Sequence, residues 1–186
     1  MLEIEVKYAV GDFGPIETRL RAWNAPLTEQ RDDADSYYNA PHRDFARTDE
    51  ALRVRRIGAA NFATYKGPRI DKLTKTRMEI EIPLADGPEP AEGFERILKA
   101  LGFHAVAVVR KHRRVYCVTR SGFEVHVCLD EVERVGRYAE LEIVAEESLL
   151  DSGRAVLIEC AAELGLVESE RRSYLELLLA APATPS

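Results

Sequence analysis

Residues Leu2 to Tyr8 alternate: Leu2, Ile4, Val6 and Tyr8 are apolar, while Glu3, Glu5 and Lys7 are charged. That is the period of a strand with two chemically unlike faces. The pattern returns along the chain, and its polar side is ionised rather than merely polar. Arg53 and Arg55 flank Val54; Lys75, Arg77, Glu79 and Glu81 interleave with Met78, Ile80 and Ile82; Glu140 and Glu142 flank Leu141. Lys66, Lys111 and Arg113 fall on further strand signals. If the apolar sides face outward beneath helices, the charged sides converge on an enclosed interior.

The strand signals run over Leu2–Tyr8, Asp35–Tyr38, Ala51–Arg56, Asn61–Lys66, Arg77–Ile82, Ala107–Tyr116, Phe123–Leu129 and Tyr138–Val144. Gly58, Gly67-Pro68 and Ser121-Gly122 supply turns between neighbours, which favours antiparallel hairpins. Helices are predicted over about Phe13–Trp23 with Asp12 as cap, through Phe94, Ile97, Leu98 and Leu101 to Gly102, over Leu149–Leu164 before Gly165, and over Ser173–Ala180. Asp86 to Pro90 reads as a loop. The expected fold class is α+β: a closed eight-stranded antiparallel β-barrel with flanking helices, one domain over residues 1–181, and a flexible tail over 182–186.

The length of 186 residues, with 46% hydrophobic and 31% charged, suits one compact core. A formal charge of −6 argues against general attraction to nucleic acid or an anionic membrane, so any anion site must be local. Cys117, Cys128 and Cys160 are odd in number and lack a metal-type spacing, so they read as small apolar residues. The first residues give no apolar signal segment and no stretch is long enough to span a bilayer; the expected location is the cytoplasm.

A buried set of charges is costly unless each ion has a partner, and mutual pairing offsets the desolvation only in part. A triphosphate offers a reason for it. Such an anion carries about four negative charges, and Arg and Lys on neighbouring strands can grip its oxygens from several sides. Carboxylates can then hold Mg2+ or Mn2+, which take oxygen ligands together with substrate phosphates. Glu3/Glu5 and Glu140/Glu142 are each spaced by two residues, roughly 7 Å along a strand, so each pair shares a face. A single Glu-Ile-Glu is usually a solvated edge; the conjunction of two pairs with cations on the strands between them is what points to a site. Asp130 is either a further carboxylate ligand or a turn residue, and His126 alone of the four histidines is expected to face the interior. Tyr37, Tyr38 and Tyr65 read as packing residues.

These blocks resemble the CYTH, or triphosphate tunnel metalloenzyme, superfamily, and within it the class IV adenylate cyclase branch. The similarity rests on Glu3-Ile4-Glu5-Val6-Lys7, Ala51-Leu52-Arg53-Val54-Arg55, Thr64-Tyr65-Lys66-Gly67-Pro68, Thr76-Arg77-Met78-Glu79-Ile80-Glu81, Lys111-His112-Arg113, Leu129-Asp130-Glu131-Val132, Glu140-Leu141-Glu142 and the closing Arg172-Ser173-Tyr174-Leu175-Glu176-Leu177. It implies a divalent metal, Mg2+ or Mn2+, held by Glu3, Glu5, Glu140 and Glu142 with Asp130 assisting. It implies phosphate bound by Lys7, Arg53, Arg55, Lys66, Arg77, Lys111 and Arg113, and makes Glu3, Glu5, Lys7 and Glu142 the expected catalytic residues. Lys75, Glu79, Glu81 and His126 are expected to line the tunnel. The first reading of function is conversion of ATP to cyclic AMP and pyrophosphate. The alternatives are hydrolysis of tripolyphosphate, thiamine triphosphate or a nucleoside triphosphate, and a non-catalytic triphosphate-binding module. The His-Phe pair that some class IV cyclases carry ahead of the first glutamate is not in this sequence. A homodimer stays open as an arrangement.

Overall fold

The computed structural model describes residues 2–70, 74 and 76–182. Along the chain come β1 (Leu2–Ala9), α1 (Gly14–Ala22), β2 (Leu27–Asn39), α2 (Phe45–Thr48), β3 (Ala51–Ile57), β4 (Ala60–Lys66), β5 (Glu79–Leu84), α3 (Pro88–Ala100), β6 (His104–Arg120), β7 (Phe123–Val132), β8 (Gly136–Ala145), α4 (Leu150–Glu163) and α5 (Tyr174–Ala180). The eight strands form one antiparallel sheet in the order β1-β8-β7-β6-β2-β3-β4-β5. The sheet is curled; a closed barrel was expected, and among the described residues the ladder does not run on between the two edge strands. Its two edge strands approach at the bridge between Glu3 and Arg77, where the Arg77 backbone N–H donates to the Glu3 carbonyl at 3.4 Å.

Alternation decides the layers. Ile4, Val6 and Tyr8 of β1, Val125, Val127 and Leu129 of β7, and Leu141 and Ile143 of β8 form the outer face of one half. They are covered by Ile16 and Leu20 of α1 and by Val156, Leu157 and Cys160 of α4. A β-carbon at Gly153 would come within 2.9 Å of Ile4 Cδ1, so the glycine lets α4 lie close on β1. On the other half α3 places Ala91 and Leu98 against Tyr38 and Val54. The last helix does something different. Tyr174 and Leu177 pack on Tyr37, Val109, Val132 and Tyr138, all of the sheet's inner parity, so α5 stops one end of the curl from within.

Several expectations need correction. β2 runs for 13 residues rather than the four read from the sequence, because Glu29 to Asp35 is polar on both faces and carries no apolar alternation. β6 extends to His104 and Arg120. α3 begins at Pro88, inside the stretch read as a loop; proline suits a first helical turn, where its missing N–H has no intrahelical role. Asp12 was expected to cap α1, but the capping position is Phe13, with no side-chain capping bond; Asp12 lies one residue outside and its Oδ1 accepts from Gly14 N–H at 3.1 Å. The outward residues Met78, Ile80 and Ile82 are about half exposed instead of lying beneath a helix. Lys75 and residues 183–186 of the expected tail lie outside the described residues.

Candidate functional site

The inner parity of the sheet carries a ring of charged side chains. Glu3, Glu5 and Lys7 come from β1, Glu140 and Glu142 from β8, Asp130 from β7, Lys111 and Arg113 from β6, Arg53 and Arg55 from β3, Lys66 from β4, and Glu79 and Glu81 from β5. Between β6 and β3, β2 adds Arg31, Asp33 and Asp35. A cavity of about 350 Å³ lies within this ring. Its lining also includes the apolar residues Leu52, Phe45, Val106, Leu175 and Leu179.

Three sub-clusters divide the ring. In the first, carboxylate oxygens of Glu3, Glu5 and Glu142 all lie within 4.8 Å of one another. Burial pushes the Glu3 carboxyl up to about 7 against the pull of Lys66, with Glu79 and Glu5 adding to the rise. Burial also raises Glu142; Arg113 opposes this, and Glu3, Glu140 and Glu5 reinforce it. Burial and like-charged neighbours both disfavour the ionised forms. Lys66 Nζ offsets this in part, donating to Glu3 Oε2 at 2.8 Å while lying 2.6 Å from Glu79 Oε2.

In the second, Arg113 forks onto Asp130, with Nε to Oδ1 at 2.7 Å and Nη2 to Oδ2 at 2.6 Å. The same guanidinium meets Glu140 and reaches Glu142 Oε1 at 3.4 Å. Tyr174 of α5 donates its hydroxyl to Asp130 Oδ2 at 2.7 Å. Burial alone would raise Asp130, but Arg113 and Lys111 hold its carboxyl down at about 2. Glu140 is likewise held to about 2 by Arg113 and Lys7 against its burial. Lys7 Nζ sits 4.0 Å from Glu140 Oε1 and 4.0 Å from the centre of the Tyr174 ring, a cation–π distance.

In the third, Arg55 forks onto Asp35 with bonds of 2.7 and 2.8 Å, and Arg53 reaches the same carboxylate at 3.3 Å. Burial disfavours the Asp35 charge, yet Arg53 and Arg55 hold its carboxyl well below the usual range. Lys111 Nζ lies 3.6 Å from Asp33 and 3.8 Å from Asp130, linking the second cluster to the third. Burial and the neighbouring Arg113 lower its ammonium.

The structure thus gathers Glu3, Glu5, Lys7, Arg53, Arg55, Lys66, Arg77, Glu79, Glu81, Lys111, Arg113, Glu140 and Glu142 on the inner face or cavity wall. It separates the expected metal ligands: Glu3, Glu5 and Glu142 converge, whereas Asp130 and Glu140 face Arg113. His126 shares the inner parity but lies further along β7, bonded to Glu124 at 2.9 Å. Sequence reasoning missed Arg31, Asp33, Asp35 and Tyr174. The first three carried a usable signal, a charged residue at every second position leading to Tyr37.

An all-oxygen trio with two carboxyls raised chiefly by burial fits a hard divalent cation such as Mg2+ or Mn2+, whose charge would favour their ionised forms. Glu3, Glu5 and Glu142 are the residues that would hold it.

The CYTH domain family matches residues 1–174. A Methanocaldococcus jannaschii protein named "Putative adenylate cyclase" is 34% identical over 180 residues, covering 95% of this chain and 98% of that protein. The adenylate cyclase CyaB of Aeromonas hydrophila is 29% identical over 181 residues, covering 94% and 87% respectively. A solved structure of a protein from Pyrococcus horikoshii superposes with a TM-score of 0.83 at 38% identity, covering 95% of this chain and 98% of that one. With that match spanning nearly the whole of the curled sheet and its charged inner face, the chain belongs to the CYTH domain family.

Proposed function

We propose that this chain is a divalent-metal-dependent adenylate cyclase that converts ATP to cyclic AMP and pyrophosphate on the inner face of the sheet. The observation that carries this reading is an arrangement in two parts: a carboxylate trio, Glu3, Glu5 and Glu142, set beside buried cations, and an apolar share of the cavity lining at Phe45, Val106 and Leu179. A nucleoside triphosphate has the same two parts, a polyanion and a flat, weakly polar base. The names of the two curated relatives, at 34% and 29% identity over most of the chain, support the choice of ATP.

On this reading the sheet edges that approach at Glu3 and Arg77 complete a tunnel around the phosphates. Arg53, Arg55, Lys66, Lys111 and Arg113 bind phosphate oxygens. Their present carboxylate partners set a cost for this, since each cation must be shared between Asp35, Glu79 or Asp130 and the substrate. Lys7, held beside Glu140 and Tyr174, orients the phosphate chain. When bound, the metal supplies charge neutralisation at the phosphates and acidifies the attacking hydroxyl. The ribose 3′-oxygen attacks the α-phosphorus and its hydroxyl proton leaves to solvent, while the bond to the bridging oxygen breaks and pyrophosphate carries the electron pair away. Hydrolysis is the second reading, because an inner face charged along its length grips a phosphate chain whatever follows it; the two differ in which phosphorus lies beside the trio.

The test is to incubate the purified chain with ATP and Mg2+ or Mn2+ and separate the products. Cyclic AMP with pyrophosphate supports the cyclase. Orthophosphate with ADP, or turnover of tripolyphosphate or thiamine triphosphate in its place, overturns it in favour of hydrolysis. Tight binding without turnover points to a non-catalytic module.

A further inference from the structure

Far along the inner face from α5, a second group of donor atoms comes together. Val109 of β6 lies under α5; eight residues further on the same strand and parity is Cys117, roughly 26 Å away at about 3.3 Å per residue. Directly opposite Cys117 in the β6–β7 register stands His126, and Glu124, two residues before His126, shares its face. Cys117 Sγ, a Glu124 carboxylate oxygen and a His126 ring nitrogen all lie within 4.8 Å of one another. His126 Nε2 is already turned toward Glu124 Oε1, at 2.9 Å. Glu124 is largely exposed and His126 and Cys117 are part-exposed, so the group is open to an ion from solvent.

We infer that Cys117, Glu124 and His126 form a binding site for a thiophilic divalent cation of the zinc class, separate from the oxygen site at Glu3, Glu5 and Glu142. Sulfur, imidazole nitrogen and one carboxylate oxygen are the donors zinc takes, and three protein ligands leave its fourth tetrahedral position to water or another ligand. Magnesium disfavours this set, because it demands oxygen donors in octahedral array. Ligands held on two paired strands need only side-chain rotation to close on an ion. Binding replaces the His126–Glu124 hydrogen bond, and the Cys117 thiol proton leaves to solvent as the thiolate–metal bond forms. In the β7–β8 register His126 is also directly opposite Glu142, so the two sites are neighbours across one strand spacing yet differ in donor chemistry.

That difference supplies the test. The full chain is titrated with Co2+ in a large excess of Mg2+, which occupies the carboxylate trio and leaves the sulfur site. One equivalent of Co2+ with a thiolate-to-cobalt charge-transfer band, displaced by Zn2+, is expected. In Cys117→Ser the band is absent and zinc affinity falls by about 100-fold or more, whereas Glu5→Gln retains both. As a measurement that needs no variant, zinc is expected to slow alkylation of Cys117 in the native chain; Cys128 and Cys160 are buried and serve as internal references. Cobalt binding without the sulfur band, zinc affinity unchanged in Cys117→Ser, or alkylation of Cys117 indifferent to zinc would each overturn the assignment.

Discussion

Arg113 holds Asp130 through two parallel hydrogen bonds of 2.7 and 2.6 Å, and both side chains are almost fully withdrawn from water. The same guanidinium also meets Glu140 and Glu142, so a single cation organises three carboxylates from two strands. Arg113→Ala strands those charges in a buried setting, where loss of one partner typically costs about 3 to 5 kcal/mol. Arg113→Lys keeps the charge but not the planar fork, and falls between the two. Urea unfolding of the three proteins checks the order; equal stability of wild type and Arg113→Ala would show that the carboxylates find other partners.

Asp35 offers a pH test. Its folded-state carboxyl is held well below its unfolded value, about 3.9, by Arg53 and Arg55 overcoming the effect of burial. A depressed carboxyl contributes stability that is fully present above the unfolded value and is lost as pH falls below it, because the unfolded chain then binds more protons. Asp35→Asn therefore is less stable than wild type at pH 7, by about 3 kcal/mol or more. The gap between the two narrows as pH drops below about 4. Denaturant midpoints from pH 7 to pH 2 measure it, and a gap independent of pH would show that the aspartate acts by shape rather than charge.

How far the sequence discloses this site follows from what each strand has on its outer side. β1, β3 and β8 are legible because Ile4 and Val6, Val54, and Leu141 and Ile143 sit opposite their charges and mark the alternation. β2 is not. Gln30 and Asp32 occupy the solvent side while Arg31 and Asp33 occupy the inside, so hydrophobic period vanishes although the charge period survives. Asp33, 3.8 Å from Arg55, was hidden for that reason, and Asp35, first residue of the strand that was read, had no apolar run before it to mark its face. The split of five expected metal ligands into a trio and an Arg113-bound pair is also beyond one-dimensional reading. Glu140 and Glu142 flank the same Leu141 in one alternating run; the β6–β7–β8 register is what places Glu140 beside Asp130 and Arg113.

Tyr174 joins the end helix to the charged ring. Its hydroxyl donates to Asp130 at 2.7 Å, and its ring lies 4.0 Å from Lys7 Nζ and 5.4 Å from Lys111 Nζ. Tyr174→Phe removes the hydrogen bond and keeps the ring. A bond to a charged acceptor is worth about 1.5 to 3 kcal/mol, so the variant is expected to lose that much stability while α5 stays docked through Leu177 and the retained ring. Tyr174→Ala loses the cation–π contacts as well and is expected to raise the KM for ATP. Thermal unfolding and steady-state kinetics separate the two effects, and identical behaviour of Phe and Ala would show that the ring contributes nothing.

Glu142 is where the metal reading is most exposed to refutation. Within this cluster of carboxylates, burial, reinforced by Glu3, Glu140 and Glu5, raises the Glu142 carboxyl despite Arg113. Glu142→Gln removes one charge from that cluster while keeping the side chain's size. The metal-free variant is therefore expected to be as stable as metal-free wild type or more so. Magnesium at a hundred times its Kd should stabilise wild type by about 2.7 kcal/mol, because it binds the folded state alone. The variant should lose most of that increment, together with turnover by on the order of 100-fold or more. A loss of turnover by itself would fit many roles for Glu142; metal-free stability retained and metal-dependent stability lost, in one protein, fit a ligand. Melting curves with and without Mg2+ read both quantities, and a Glu142→Gln chain that magnesium stabilises as much as it does wild type would remove Glu142 from the ligand set.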